Sequence, residues 1–312
     1  MMQMPTKVKI CVVGSANVDL LCKLPRMPKM GETLMGSSFH LSCGGKGSNQ
    51  AAMAAKLGAD VTMVTKLGRD PLGEMAFRNY QNLGIDTRHV YWDEAHFTGV
   101  APIFVDETGN NMIVIVPGAN LTLTPTEVRE ARDVICAADV VVCQLEIPVE
   151  CTLEAFRIAR DAGVRTILNP APAIRLPQEL LQLCDIVAPN ETEAEILTGM
   201  TVATLKEAQA AGSVLLVRGP HAVVITLGER GALLLNGKDV AHVPSVKVRA
   251  VDTTGAGDAF VGSLAFFLGE GSQLRRAVER SNAVAALSVM KVGAQASFPS
   301  REEVERLITQ RS

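Results

Sequence analysis

A carboxylate set in a glycine-rich turn is the feature of this sequence with the most definite chemistry. The segment Val251–Phe260 reads VDTTGAGDAF, and an apolar, helix-like run follows over Ala259–Leu268. Gly255–Gly257 would let the backbone approach a ligand at a helix N-terminus, where free N–H groups and the helix dipole favour a phosphate. A carboxylate that only bordered a phosphate would repel it. Asp258 therefore makes chemical sense as the acceptor of a proton from a hydroxyl that attacks the phosphate. The structural alternative is an Asp that simply favours a helix start.

Two other nucleotide-binding motifs do not fit the chain. A dinucleotide fingerprint fails because Phe260 occupies its third glycine position and no strand with an acidic end follows about 20 residues later. The P-loop pattern GxxxxGK[ST] also fails, since Gly47 follows Gly45-Lys46 and Asp239 follows Gly237-Lys238. The sequence thus excludes a P-loop NTPase.

Further polar groups are expected at the ends of apolar runs. The segment Gly44–Gln50 (GGKGSNQ) opens a helix whose backbone N–H groups and amides could hold hydroxyls, although a tight loop explains it equally well. Asn17 and Asp19 follow the first strand, and such an amide–carboxylate pair suits vicinal diols. Glu146 follows the run Val140–Leu145 and could act in the same way. Each alone is typical of a solvated strand end; their shared position at strand carboxyl ends favours a ligand site.

The segment that starts at Asn190 allows two interpretations. Asn190 and Glu193 have the spacing of a capping box, which would be a complete structural explanation. Alternatively, Glu193 could act through a metal-bound water near a triphosphate. The pattern alone does not decide between the two.

Alternation of short apolar runs with amphipathic stretches predicts an α/β fold. Runs that are apolar on both faces and separated by helices indicate a doubly wound, mainly parallel sheet covered on both sides. The strand predictions are Val8–Val13, Val61–Thr65, Val140–Leu145, Arg165–Leu168, Asp185–Val187 and Ala222–Leu227, with helices over Ser48–Leu57 and from about Gly73.

Two stretches interrupt this alternation. Cys22–Leu41 has no helical period, and Gly99–Val105 and Met112–Val116 have the pattern of a hairpin around a turn. Together they could form a small second sheet over the carboxyl ends of the main strands, where open α/β sheets bind ligands. A surface hairpin without a function is the alternative.

Composition excludes several classes of protein. The 312 residues carry a net charge of −3 with no basic stripe, and aromatics make up 4%, so nucleic acid is not an expected partner. Seven cysteines without CxxC spacing argue against disulfides and a zinc site. The chain has neither an apolar run long enough to span a membrane nor an N-terminal targeting pattern, so we expect a cytoplasmic protein with no membrane partner.

Taken together, these segments resemble the ribokinase family of carbohydrate kinases from about Ile10 to Val304. The most specific matches are GGKGSNQA at Gly44–Ala51 and DTTGAGDAF at Asp252–Phe260. The resemblance implies one αβα-sandwich domain over residues 1–312, with lid segments at about 17–42 and 97–117. In the family, the lid often mediates a homodimer.

The resemblance also implies roles for individual residues. Asp258 matches the catalytic base. The anion hole for the transferred phosphoryl group matches Gly255, Ala256 and Gly257. The sugar site matches Asn17, Val18, Asp19, Gly45, Lys46, Gly47, Ser48, Asn49 and Glu146, together with Asp258. The ATP site matches Asn190, Glu193, Thr226, Leu227, Gly228, Glu229, Arg230, Gly231, Gly257 and Asn282. Glu193 matches the magnesium and phosphate network, and a monovalent-cation site matches Asp252, Thr254, Ser288, Lys291, Gly293 and Ser297, partly through backbone carbonyls.

The activity implied is transfer of the γ-phosphoryl group of ATP to the primary 5-hydroxyl of D-ribose, with Mg²⁺ and K⁺, in ribose catabolism. A kinase for 2-deoxyribose, another small sugar or a nucleoside is the alternative on the same fold. Asn17 favours ribose, since deoxyribokinase-like relatives tend to have an apolar residue at this position. Ser48 is a small departure from the family pattern, because Ala is common at its position in the family. A non-catalytic binding protein and a nicotinamide enzyme are the alternatives from other classes.

Overall fold

A nine-stranded sheet runs through the centre of the computed structural model, which describes residues 7–237 and 239–309. The strands in chain order are β1 (Lys9–Val13), β2 (Asn17–Lys23), β3 (Ser38–Gly44), β4 (Asp60–Gly68), β5 (Asp86–Asp93), β6 (Gly99–Val105), β7 (Asn111–Ile113), β8 (Val140–Cys143), β9 (Arg165–Leu168), β10 (Ile186–Val187), β11 (Ala222–Thr226), β12 (Ala232–Asn236) and β13 (Asp239–Val243). The order across the large sheet is β13-β12-β11-β10-β9-β8-β1-β4-β5. All its pairs are parallel except β11–β12 and β12–β13. The chain thus winds outwards in both directions from β1.

Helices cover both faces of this sheet. They are α1 (Lys46–Lys56), α2 (Pro71–Asn82), α3 (Pro125–Glu130), α4 (Arg132–Cys136), α5 (Val149–Asp161), α6 (Gln178–Gln182), α7 (Glu191–Thr198), α8 (Leu205–Val217), α9 (Ala256–Gly269), α10 (Leu274–Ser288) and α11 (Arg301–Thr309). One face packs on α1, α2 and α9–α11, and the other packs on α3–α8. Val12 faces the first group and Val13 the second, which is why the central strands are apolar at every position.

The expected αβα sandwich is therefore confirmed, with local differences. Helix α1 begins at Lys46, two residues before the predicted start, and α2 begins at Pro71 because Asp70 caps it by accepting from the Gly73 N–H at 2.8 Å. Strand β5 was not predicted, because it is an edge strand that is largely half-buried and hence lacks an apolar run. The antiparallel hairpin β12–β13 was not predicted either.

The two interrupting segments form the predicted small second sheet, in the order β3-β2-β6-β7. The hairpin is part of this lid sheet, since β6 runs parallel to β2. Strand β7 is shorter than expected, and Val116 joins β6 only through a bridge to Val100. Because Asn17 begins β2 shortly after β1 ends, the lid sheet starts at the carboxyl edge of the large sheet.

A bilayer-spanning helix would have to be longer and more apolar than any helix in the described residues.

Helices α1 and α9 pack in close contact at Gly262. A Cβ at this position would lie 2.5 Å from the Gln50 carbonyl oxygen and 3.0 Å from the Met53 Cβ. Glycine here lets α9 approach the backbone of α1, and this contact places the N-terminal turns of both helices side by side.

We expect Gly262→Ala to lower the free energy of unfolding by about 1–3 kcal/mol, because the added methyl group overpacks the helix contact. Gly257→Ala in the same helix is the matched control, since its Cβ meets no atom within 4 Å. Replacement of a helical glycine by alanine without a clash stabilises by about 0.5–1 kcal/mol. Thermal unfolding of both variants measures the difference; equal midpoints would contradict the close packing.

Candidate active site

The N-terminus of α9 forms the floor of a cavity at the carboxyl edge of the sheet. Gly255 precedes the helix with a φ of +76°, in the left-handed region that favours glycine. A Cβ there would also lie 2.9 Å from the Ala294 Cβ. A cavity of about 170 Å³ lies against this turn and is lined by Gly255–Asp258 together with Lys46, Asn169, Asn190, Glu193 and Thr226. Backbone N–H groups at such a helix start suit an anion.

The carboxylate of Asp258 faces this cavity and is held from α1. Asp258 is 7% exposed. Its Oδ2 accepts from Asn49 Nδ2 at 2.9 Å, and its Oδ1 accepts from Gln50 Nε2 at 3.0 Å. Two neutral donors from a neighbouring helix thus fix both carboxylate oxygens. This geometry differs from the structural alternative, an Asp that serves its own helix start.

A second set of amides lies behind Gln50. Gln50 Nε2 also donates to Asn169 Oδ1 at 3.0 Å, and Gln50 Oε1 accepts from Gln144 Nε2 at 2.6 Å. Gln50 was predicted only as one of the amides of Gly44–Gln50, and neither Gln144 nor Asn169 was predicted as a site residue. A signal was available for these two, because Gln144 directly follows β8 and Asn169 directly follows β9.

The residues expected to contact a sugar gather where β1, α1 and the lid sheet meet. Glu146 Oε2 accepts from Ser15 Oγ at 2.5 Å and from the backbone N–H of Lys46 at 3.1 Å. Asn17 is buried at the start of β2, and its Oδ1 accepts from Asn120 Nδ2 at 2.8 Å. Asn120, which sequence reasoning missed, thereby leaves the Asn17 NH₂ group as the donor.

The other amino-acid residues expected to contact the sugar lie at the starts of β2 and α1. Asp19 lies against Gly44, where any Cβ would collide with the carboxylate. Val18 is fully buried, as are Gly47 and Ser48 in the first turn of α1. Gly45 caps that helix with a φ of +87°, and a Cβ there would lie 2.6 Å from the Asn17 backbone nitrogen. The structure thus brings the start of β2 and the start of α1 together.

Charges are concentrated in this region. Burial raises the pKa of Asp19 to about 7, and the nearby carboxylates of Glu146 and Asp258 add to this shift. Burial alone would lower the pKa of the Lys46 ammonium, but Asp258, Glu146 and Glu193 together raise it above its usual value. A protonated Lys46 therefore lies among three carboxylates beside the cavity at the start of α9.

A larger cavity of about 900 Å³ continues from the α9 N-terminus towards β12 and α10. Most of the residues expected to bind ATP line it: Asn190, Thr226, Gly228, Glu229, Arg230, Gly231, Gly257 and Asn282. Leu227 does not, because its side chain is buried in the core beneath. Ser245–Val248, Phe260 and Val289 line the same cavity and were not among the predicted residues. The available signal was the β-branched run Val243–Val251 before the glycine-rich turn, and its residues after Val243 form no strand.

Asn190 and Glu193 form the capping box of the first interpretation, and their position at the small cavity leaves the second interpretation open. Asn190 Oδ1 accepts from the Glu193 N–H at 2.7 Å, and Glu193 Oε2 accepts from the Asn190 N–H at 2.8 Å, which is a complete capping box. Both residues also line the small cavity. Glu193 is 9% exposed, and burial raises its pKa.

Only some of the residues expected at a monovalent-cation site are connected to one another by hydrogen bonds. Asp252 Oδ1 accepts from the Thr254 N–H at 2.9 Å, and Asp252 Oδ2 accepts from the Gly293 N–H at 2.8 Å. Although burial raises the pKa of Asp252, these hydrogen bonds lower it below its usual value overall. Lys291 Nζ instead pairs with Glu303 at the surface, at 3.0 Å.

The two serines of this set hydrogen-bond locally. The Ser288 and Ser297 hydroxyls donate to the carbonyls of Ala285 and Ala294. Across residues 7–237 and 239–309, no three His, Cys, Asp or Glu side chains cluster in a way that could hold a metal ion.

The raised pKa of Asp19 predicts a pH dependence of stability. Between about pH 4 and pH 7 the folded chain keeps a proton on Asp19 that the unfolded chain releases, so this contribution to stability is lost as the pH rises through 7. We expect Asp19→Asn to gain thermal stability relative to the unsubstituted protein between pH 5 and pH 8, without ligand. Parallel pH dependences of the two midpoints would show that Asp19 titrates normally.

Comparison with known proteins agrees with this geometry. The model of the pfkB family of carbohydrate kinases matches residues 7–301. A deoxyribokinase of Salmonella typhi is 40% identical over 301 residues, which cover 96% of this chain and 98% of the relative. A ribokinase of Mus musculus is 44% identical over 300 residues, which cover 95% of this chain and 93% of the relative.

A solved structure of Arabidopsis thaliana ribokinase complexed with ribose and ATP has a TM-score of 0.92 at 32% identity, covering 97% of this chain and 99% of that one. The resemblance found in the sequence is thereby confirmed. This chain is a sugar kinase that transfers phosphate from ATP, and it belongs to the pfkB family of carbohydrate kinases, within its ribokinase group.

Proposed function

We propose that this kinase phosphorylates the primary 5-hydroxyl of D-ribose to give ribose 5-phosphate, with Asp258 as the general base. The observation that carries the proposal is the Asp258 carboxylate, which two amides hold at the start of α9 beside the small cavity. The relatives named ribokinase and the Arabidopsis complex with ribose and ATP support the choice of substrates.

The geometry suggests how the chain would act on the reacting groups. ATP would occupy the larger cavity, with its terminal phosphate at the N–H groups of Gly255–Gly257. The sugar would lie between the lid sheet and α1, with its primary hydroxyl at Asp258, which takes the proton as the oxygen attacks. Lys46 lies at the small cavity and would offset charge on the transferred phosphoryl group.

Mg²⁺ and K⁺ are further parts of the proposal. The buried Glu193 fits the magnesium–phosphate network, since it lines the cavity and carboxylate oxygen suits a hard cation. Mg²⁺ would neutralise phosphate charge there. We place K⁺ beside the Asp252 carboxylate, and the Lys291 ammonium, which would repel a cation, is paired with Glu303 instead. K⁺ would add fixed positive charge beside the anion hole.

A homodimer through the lid sheet is also proposed. Large apolar side chains are exposed on this sheet, among them Phe39, Leu41, Phe104, Met112 and Ile113. Exposed apolar patches of this kind mark interaction surfaces. We propose that a second copy of the chain covers this apolar face of the lid sheet. We also propose that the protein is cytoplasmic.

A kinase for 2-deoxyribose is the second candidate, and the deoxyribokinase relative at 40% identity supports it. Asn17 favours ribose, since its NH₂ group can donate to a sugar hydroxyl that deoxyribose lacks. Another small sugar or a nucleoside remains a candidate on the same fold.

Asp258→Asn should lower kcat for ribose by about two to four orders of magnitude, because the amide cannot take the hydroxyl proton. ATP binding, measured by calorimetry, should persist. Asp139→Asn is the matched control: its carboxylate accepts from the Lys9 N–H at the opposite edge of the sheet, at 2.8 Å, and we expect near-normal turnover. Near-normal turnover of Asp258→Asn would remove the assignment of the base.

Asn17→Leu should lower kcat/KM for ribose by about tenfold while affecting 2-deoxyribose less, since it removes a hydrogen bond to a neutral hydroxyl. The measurement is kcat/KM for both sugars, with fructose and adenosine as further substrates. If the variant keeps the same ratio of kcat/KM for the two sugars, Asn17 does not contact the hydroxyl that distinguishes them. If the unsubstituted protein already prefers 2-deoxyribose, the second candidate is supported.

A further inference from the structure

The amide of Gln295 lies behind Asn49, on the side away from Asp258 and outside the two cavities of the site. Gln295, in the segment before α11, donates from Nε2 to Asn49 Oδ1 at 3.1 Å and to Ser48 Oγ at 3.0 Å. Its own Oε1 accepts from Asn79 Nδ2, on α2, at 2.8 Å. A continuous series of amides, Asn79–Gln295–Asn49, therefore ends on the carboxylate of Asp258.

The polarity of this amide series is set from its Asp258 end. An ionised carboxylate only accepts hydrogen bonds, so Asn49 must turn its NH₂ group towards Asp258. Its Oδ1 then faces away and needs a donor, which Gln295 supplies. Gln295 Oε1 in turn accepts from the Asn79 amide. Amides aligned in this way polarise one another, which strengthens each hydrogen bond.

The backbone around Gln295 is anchored separately. Lys56, the last residue of α1, donates from Nζ to the Gln295 carbonyl at 2.7 Å and to the Phe298 carbonyl at 3.1 Å. The same ammonium lies 6.0 Å from the centre of the Phe298 ring. Because α1 holds this segment at its C-terminal end, the Gln295 side chain meets Asn49 from a fixed position.

We propose that Gln295 is a positioning residue for phosphoryl transfer: it fixes the orientation of the Asn49 amide and, through it, the carboxylate of Asp258. The inference rests on the proposed role of Asp258. Gln295 would lie outside the sugar and nucleotide sites and would affect the rate of phosphoryl transfer through the donor that it presents to Asn49, and not through its size.

The test compares Gln295→Glu with Gln295→Met. A glutamate keeps the shape but cannot donate to Asn49 Oδ1, so Asn49 turns and presents its carbonyl to Asp258. Methionine only removes the donor. We expect kcat to fall about 10- to 100-fold for Glu and about 3- to 10-fold for Met, with KM for ATP and the thermal midpoint nearly unchanged. Equal effects of the two variants on kcat would overturn the proposal.

A double-mutant cycle separates positioning from a general structural effect. If Gln295 acts through Asn49, Gln295→Met should cost little further kcat once Asn49→Leu is present, whereas independent effects would multiply. Multiplying effects would overturn the inference.

Two further outcomes are distinguishable. If Gln295→Glu fails to fold, Asn79→Asp is the second variant, since it removes the donor to Gln295 Oε1; a folded Asn79→Asp enzyme with unchanged kcat would overturn the proposal. If Asp258→Asn alone retains turnover, the proposed base has failed, and this result is independent of the Gln295 comparison.

Discussion

The contact between α1 and α9 is the constraint on which the rest of the site depends. A buried carboxylate is costly unless donors surround it, and here the donors are neutral amides on a different helix. Those amides reach Asp258 only because Gly262 allows the two helices to touch. The turn proposed to bind phosphate, the proposed base and the start of the proposed sugar site are therefore one packing arrangement: α9 presents its N-terminal N–H groups to the cavity, and α1 supplies the amides that hold Asp258.

Electrostatics at this junction are balanced rather than uniformly of one sign. Glu146, Asp258 and Glu193 place carboxylates in a region that we propose also accepts phosphates, and the raised pKa of Asp19 reflects burial together with the charge of two of them. Lys46 offsets their negative charge, and its pKa is raised by these three carboxylates in spite of burial. The Glu193 side chain has two positions of interest at once: it completes the capping box at the start of α7, and it also lines the small cavity. Structural and functional explanations of one residue need not exclude each other.

Much of the fold, and the placement of many expected site residues at one edge of the sheet, could be predicted from sequence, for identifiable reasons. The central strands are apolar on both faces, and the glycine-rich turn combines backbone and acid in one short segment, so local pattern was sufficient. The edge strand β5 lacked such a pattern, whereas β12 carries a short apolar run, Ala232–Leu235, that was not predicted. Asn120, Asn169 and Gln295 were missed, and Gln50 was given no contact with Asp258, because an amide gains its role from partners distant in sequence. Asn49 and Gln295, for example, are hydrogen-bonded across 246 positions of the chain.

The pairing of β2 with β3 carries a consequence for how such chains can change in length. Asn17 pairs with Gly44 at the base of the lid sheet and Lys23 pairs with Ser38 at its far end, with no break in register between them. Side chains alternate between the faces of a strand, so inserting a single residue within either strand would invert every ligand-facing position beyond it. The loop from Leu24 to Ser37 is free of this restriction. Insertions and deletions can accumulate in that loop without shifting the register of β2 and β3, whereas a change of length within either strand shifts it.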